Sequence, residues 1–190
     1  MNKVIVAISG SLRLRSLNSA ALRAAAQTAA RSGIPVAIDE SVRTLPHFDP
    51  DLEAEPPNAV RRFREACDGA DAVLLAVPEY AFGIPGAFKN ALDWTVGSVA
   101  LYRKPVAVLS VAPPGRGGNV RQALECVFTA LDCDVSYHSV PIAPADLSED
   151  DEIRDPRITR ELLRVVETLA GRALARSDGA ESSLSASRHT

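Results

Sequence analysis

Val4-Ile5-Val6-Ala7-Ile8-Ser9-Gly10-Ser11-Leu12-Arg13-Leu14-Arg15-Ser16-Leu17-Asn18 opens with an apolar run, breaks into a turn of small and hydroxyl residues, and leads into an alanine-rich segment. A short apolar run rich in β-branched residues reads as a buried strand, and the alanines after it read as a helix. A strand that turns through glycine and serine into a helix N-terminus aims free backbone N–H groups and the positive end of the helix dipole at one spot. Ser11, Arg13, Ser16 and Asn18 add side-chain donors there. The spacing is neither GxGxxG nor GxxxxGKS/T, so it fits neither the dinucleotide fingerprint nor the nucleoside-triphosphate loop. Two readings stay open at this point: a cradle for a small phosphorylated ligand, or an ordinary turn whose Ser16 or Asn18 caps the helix.

Similar apolar runs recur at Ile34 to Ile38, Ala72 to Val77, Pro105 to Val111 and, more weakly, Val135 to Val140. Helix-like segments lie near Asn18 to Ser32, Asn58 to Gly69, Gly86 to Val99, Asn119 to Leu131 and Pro156 to Arg176. Strict alternation of strand and helix implies right-handed crossovers and a parallel sheet with helices on both faces. The proline-rich segment Thr44 to Pro57 reads as a loop, expected near the ligand or a subunit interface. The expected domain spans residues 1–176, and Ser177 to Thr190, poor in apolar anchors, reads as a disordered tail.

The bulk properties exclude several classes. The 190 residues are 46% hydrophobic and 24% charged, enough for one core. The net charge is −3 with scattered basic residues, so no nucleic-acid footprint is present. The apolar N-terminal run is too short to span a membrane and is not followed by a cleavage site, so a cytoplasmic protein without membrane attachment is expected. Cys67, Cys126 and Cys133 form no CxxC pair and read as buried free thiols; no metal site is expected.

In an open parallel sheet, ligands bind beyond the carboxyl ends of the strands. Three post-strand loops have unusual composition: the first turn, Pro78-Glu79-Tyr80-Ala81-Phe82-Gly83-Ile84-Pro85-Gly86, and Ala112-Pro113-Pro114-Gly115-Arg116-Gly117-Gly118. The second offers flat apolar surfaces and fixed backbone amides, and the glycines of the third let backbone approach a ring closely. A phosphate at one loop and a planar heteroaromatic ring at the others describes FMN.

Two motifs carry a resemblance. Gly10-Ser11-Leu12-Arg13 with Ser16 and Asn18 is similar to the GSLRxxSxN phosphate loop of the NADPH-dependent FMN reductase family. Pro78-Glu79-Tyr80, Ile84-Pro85-Gly86, Lys89-Asn90-Ala91 and Asp93-Trp94 resemble that family's PEYNxxxPGxLKNAxDW stretch. The resemblance implies a flavodoxin-like three-layer α/β sandwich with strand order 2-1-3-4-5. It also implies a phosphate site of Ser11, Arg13, Ser16 and Asn18, and flavin contacts from Pro78, Glu79, Tyr80 and Ala81. Ser110, Gly115, Gly117 and Gly118 would complete the ring site, with no catalytic side chain. It further implies reduction of a flavin, quinone or similar small-molecule acceptor by NADPH or NADH through bound FMN, in a homodimer or homotetramer. The alternatives are a flavodoxin-like electron carrier and a non-catalytic flavin-binding protein. The chain departs from the family where Ala81 and Phe82 replace the usual Asn and frequent Gly, and where Ala112-Pro113-Pro114 replaces a glycine-rich run; altered ring contacts are expected. Trp94 reads as core or subunit interface rather than cofactor site, and Glu79 as a backbone contributor.

Overall fold

Strand β1 (Ile5–Ser9) lies between β2 (Val36–Asp39) and β3 (Ala72–Ala76) in the computed structural model, which describes residues 4–186 and side chains as far as Ser177. Beyond β3 follow β4 (Pro105–Ser110) and β5 (Asp134–Ser139), giving a five-stranded, all-parallel sheet of order β2-β1-β3-β4-β5. This is the expected order. The three inner strands are apolar along almost their whole length because helices cover both their faces, whereas edge strands β2 and β5 are only half-buried.

Helices α1 (Leu17–Arg31) and α5 (Pro156–Ala186) cover one face. The alanine stripe Ala20, Ala21, Ala24, Ala25 and Ala29 is buried, so α1 packs close to sheet and partner helix, over Ile5, Leu74, Leu109 and Leu162. Phe63 of α2 (Asn58–Gly69), Phe88 of α3 (Gly86–Val96), and Leu124 and Phe128 of α4 (Gly118–Ala130) fill the other face against Val6, Ile8, Val73 and Leu75.

Three expectations need correction. Helix α3 stops at Val96 rather than Val99, with Gly97 at its C-cap; a Cβ there would come within 2.5 Å of the Glu53 carboxylate. Helix α5 continues past Arg176, with bounds Pro156–Ala186, so it enters the segment expected as a tail; residues 187–190 lie outside those described. Cys126 is exposed instead of buried, because the inward stripe of α4 is Val120, Leu124 and Phe128 and Cys126 projects from the opposite side. Cys67 is buried and Cys133 half-buried, and burial pushes both thiols up to about 12.

Residues 44–57 are ordered by α3. The Pro46 carbonyl accepts from Asn90 Nδ2 and from Trp94 Nε1, both at 2.9 Å, and Phe48 N donates to Asn90 Oδ1 at 2.7 Å. The Phe48 ring meets Trp94 edge-on at 5.0 Å, and Arg64 holds both Glu53 and the Trp94 carbonyl. Trp94 is fully buried, as expected, and is the post on which this loop is fastened. Trp94→Phe removes the Nε1 donor and leaves a void. It should lower unfolding free energy by about 1–3 kcal/mol in urea titrations followed by circular dichroism.

Candidate active site

The turn after β1 is forced against the loop after β3. Gly10 N donates to the Ala76 carbonyl at 2.9 Å, and a Cβ on Gly10 would lie 3.0 Å from Val77 Cγ1 and 3.2 Å from Val77 Cα. Only glycine lets the two loops touch. Hydroxyls then shape the turn: Ser19 Oγ donates to Ser9 Oγ at 3.0 Å, Ser9 Oγ accepts from Ser11 N at 3.2 Å, and Ser11 Oγ accepts from Arg13 N at 3.3 Å. Ser11 Oγ also lies 3.3 Å from the Tyr80 hydroxyl, tying the first loop to the second.

Ser16 caps α1, its Oγ accepting from Ser19 N at 3.4 Å. The N–H groups of Leu17 and Asn18 have no acceptor within a helix of this kind and face an anion at low cost. Asn18 is buried and its amide oxygen has no partner, an arrangement a ligand donor would complete. The Arg13 guanidinium is exposed and unpaired among the described residues. Arg15 instead pairs with Asp151 at 2.9 Å. The donor set therefore fits a phosphate.

The second loop closes as a tight turn in which Tyr80 and Gly83 exchange backbone hydrogen bonds of 3.1 and 3.0 Å. Its two central residues, Ala81 and Phe82, have φ of 48° and 59°. This is the left-handed region that Asn and Gly occupy most cheaply, which accounts for the residues usual in the family. The departure at these positions is thus first a backbone strain; Ala81 does not line the cleft and Phe82 is 81% exposed.

Glu79 carries a role the sequence reading did not assign. Its carboxylate accepts from Asn119 N and Val120 N, both at 3.0 Å, and from Asn119 Nδ2 at 3.3 Å, so it caps α4 from forty residues away. The expected backbone role is joined by a structural side-chain role. The hydrogen bond from Val120 N, with those from Asn119, holds the carboxyl below the usual carboxylate range. In the third loop, Arg116 N donates to the Pro113 carbonyl at 3.1 Å across Pro114 and Gly115, whose φ of 81° suits a type II turn. Gly117, at φ 85°, approaches Ser110, where a Cβ would come within 3.1 Å of Oγ.

These loops enclose a cleft of about 690 Å³. Of the expected site residues, Ser11, Arg13, Ser16, Asn18, Pro78, Glu79, Tyr80, Ser110 and Gly117 line it. Gly115 and Gly118 open instead onto an adjoining hollow beside Tyr137 and His138. Sequence reasoning missed Arg116 and a fourth wall, Ile142, Ala143, Pro144, Leu147 and Asp151. Pro141, Pro144 and the acidic run after them were its only sign. Residues 44–57 are absent from the cleft lining, contrary to one of their two expected places.

The cleft lies at the carboxyl ends of the strands of a flavodoxin-like parallel sheet. The match to NADPH-dependent FMN reductases covers residues 4–144, and the chain belongs to that family of NAD(P)H-dependent flavoenzymes. It is 40% identical over 138 residues to a quinone reductase of Pseudomonas putida, covering 68% of this chain and 72% of that one. It is 32% identical over 180 residues to a probable NADPH:quinone oxidoreductase of Oryza sativa, covering 90% and 88%. Among solved structures it is similar to FerB, an NAD(P)H:(acceptor) oxidoreductase of Paracoccus denitrificans, with a TM-score of 0.70 at 27% identity, over 91% of this chain and 98% of that one.

Two outcomes test the geometry. Because the Glu79 carboxyl is more acidic when folded, its cap contributes above the ordinary carboxylate pKa of about 4.3 and is lost as pH falls through the folded value. The melting-temperature gap between wild type and Glu79→Gln should therefore be widest near neutrality and narrow progressively as pH falls below the ordinary carboxylate pKa of about 4.3. Replacing Ala81 by Asn together with Phe82 by Gly should raise stability by about 1–2 kcal/mol in urea titrations.

Proposed function

We propose that Ser11, Arg13, Ser16 and Asn18 hold the FMN phosphate, that Pro78, Glu79, Tyr80, Ser110 and Gly117 border the ring, and that the preferred acceptor is a quinone. Ala81, Gly115 and Gly118 serve the ring site by setting the turns that carry it. The carrying observation is the convergence of three post-strand loops on one cleft, with an unpaired arginine and a helix N-terminus at one end and, beside them, an unpartnered Asn18 amide oxygen that a ligand hydroxyl would satisfy. The names of the P. putida and O. sativa relatives support a quinone acceptor.

Bound FMN supplies the redox chemistry, receiving hydride from NADPH or NADH and passing electrons to the acceptor. The chain's own task is positioning. Arg13 and the α1 N-terminus neutralise the phosphate, and the Ser11–Tyr80 contact sets the distance between phosphate and ring ends. Glu79 is engaged by three donors and so is not a free acid or base. The open side of the cleft admits donor and acceptor in turn.

The reading includes a cytoplasmic homodimer or homotetramer. Among the described residues no helix is long and apolar enough to cross a membrane. Exposed Val96, Val99 and Tyr102, at and beyond the end of α3, offer an apolar contact for another subunit, whereas the 44–57 loop is occupied with Trp94.

The test is one set of spectra. Purified protein supplied with FMN should retain a flavin absorbance that bleaches on NADPH addition and returns with a quinone, and Arg13→Ala should weaken FMN binding roughly tenfold. Protein that neither retains nor reduces flavin refutes the proposal.

A further inference from the structure

A second cavity of about 500 Å³ lies on the other side of the phosphate turn, between that turn, α1 and the carboxyl end of β2. Ser11 and Arg13 line both it and the cleft, so the two spaces meet over one ridge of backbone. Its walls combine three chemistries. Leu12, Leu22, Ile38 and Val42 give apolar surface. Asp39, at the end of β2, has its carboxylate oriented by Ser41, whose backbone N donates to Oδ1 at 2.9 Å and whose hydroxyl donates to the same oxygen. Arg13, Arg23 and Arg43 add three guanidinium groups to the lining, and Asp39 and Glu40 two carboxylates.

Apolar walls suit a purine, a fixed carboxylate suits a free ribose hydroxyl such as the 3′-hydroxyl, and arginines suit phosphates, a 2′-phosphate included. A carboxylate at the end of the second strand takes the ribose hydroxyls in other nucleotide-binding sheets. Arg43 is held in place by one nitrogen, Nη2 donating to the Leu12 carbonyl at 2.7 Å, and its exposed guanidinium retains further donors. Nothing in the FMN reading uses this cavity. A dinucleotide donor, however, has two halves, and only its nicotinamide belongs in the cleft.

We propose that this second cavity binds the adenosine half of the nicotinamide dinucleotide, with the purine against Ile38 and Leu12, the ribose at Asp39, and phosphate on Arg43. The proposal rests on the functional reading above for the direction in which the donor lies. It makes Ile38 and Arg43 determinants of donor affinity; Ile38 lies outside the turn assigned to the FMN phosphate, and Arg43 meets that turn through the Leu12 carbonyl.

The test compares wild type, Ile38→Trp, which fills the cavity, and Arg43→Ala, using adenosine 2′,5′-bisphosphate in calorimetry and three donors in turnover with a quinone. Both variants should bind the bisphosphate at least about tenfold more weakly and raise the KM for NADPH by a similar factor. Reduced nicotinamide mononucleotide, which lacks the adenosine half, should be oxidised by all three proteins with one kcat/KM. An Arg43→Ala effect confined to NADPH assigns Arg43 to the 2′-phosphate, and an equal effect on NADH assigns it to the pyrophosphate; either supports the site. Unchanged bisphosphate binding and NADPH KM in Ile38→Trp overturn it, as does a parallel loss with the mononucleotide. Wild type that binds the bisphosphate but oxidises no donor retains the nucleotide site and refutes the reductase reading instead.

Discussion

A side chain at position 10 would press on its neighbours at 3.0 to 3.3 Å. The backbone there lies against Val77 and Pro78, closer than any Cβ could be placed without moving the loop after β3. The contact is possible because β1 and β3 are direct neighbours in register, Ser9 beside Ala76, so both chains leave the sheet at the same height. Everything that makes the cleft narrow follows from it. With the two exits in contact, the Ser11 and Tyr80 hydroxyls come within 3.3 Å, and phosphate donors and ring surface face one space rather than two.

Glu79 extends that constraint to the third loop. Its carboxylate replaces the missing acceptors at the start of α4, so any shift of the second loop costs the helix its cap. Arg15 and Asp151 close the remaining side, and Arg23 adds a longer contact of 3.4 Å to the Asp151 carbonyl. The cleft is thereby held by pairwise contacts among all four of its walls. A ligand entering such a site loses little free energy to ordering the protein, which is the physical advantage of building a cofactor site on linked loops.

How much of this the sequence disclosed depends on the range of the interactions. The inner strands were legible because burial on both faces writes an unbroken apolar run, and their order came with the family's motifs. The turn proposed for the phosphate was marked by local sequence alone, because its candidate donors lie within a few residues of each other. Glu79 was half legible: its motif marked the loop, but its partners Asn119 and Val120 are forty residues on, and no local pattern announces a cap supplied from outside the helix. The wall at Ile142 to Asp151 was invisible for the same reason, since its proximity to Arg15 exists only after the sheet has formed. Ala81 and Phe82 were seen as departures but weighed as lost ring contacts; that both occupy left-handed backbone could be read only from coordinates. Cys126 was misplaced because composition says that cysteine favours cores, and only the phase of α4 says which side faces one.

The chemistry left to the protein is narrow, and the way its charged groups are engaged explains why. Among the described residues lining the cleft, the two carboxylates are Glu79 and Asp151, one committed to the α4 cap and the other to Arg15. The remaining polar side chains are arginines, hydroxyls and an amide. His138 opens onto the adjoining hollow, not the cleft, and burial together with Arg172 holds its imidazole below the ordinary range, so it is neutral near pH 7. A site so composed can fix a dianion, orient a ring and stabilise negative charge, but it has no group poised to shuttle protons near neutrality. Hydride transfer through a flavin asks for the first set of abilities and not the last. The side chains that would be wasted on acid–base catalysis are spent here on keeping the loops in place.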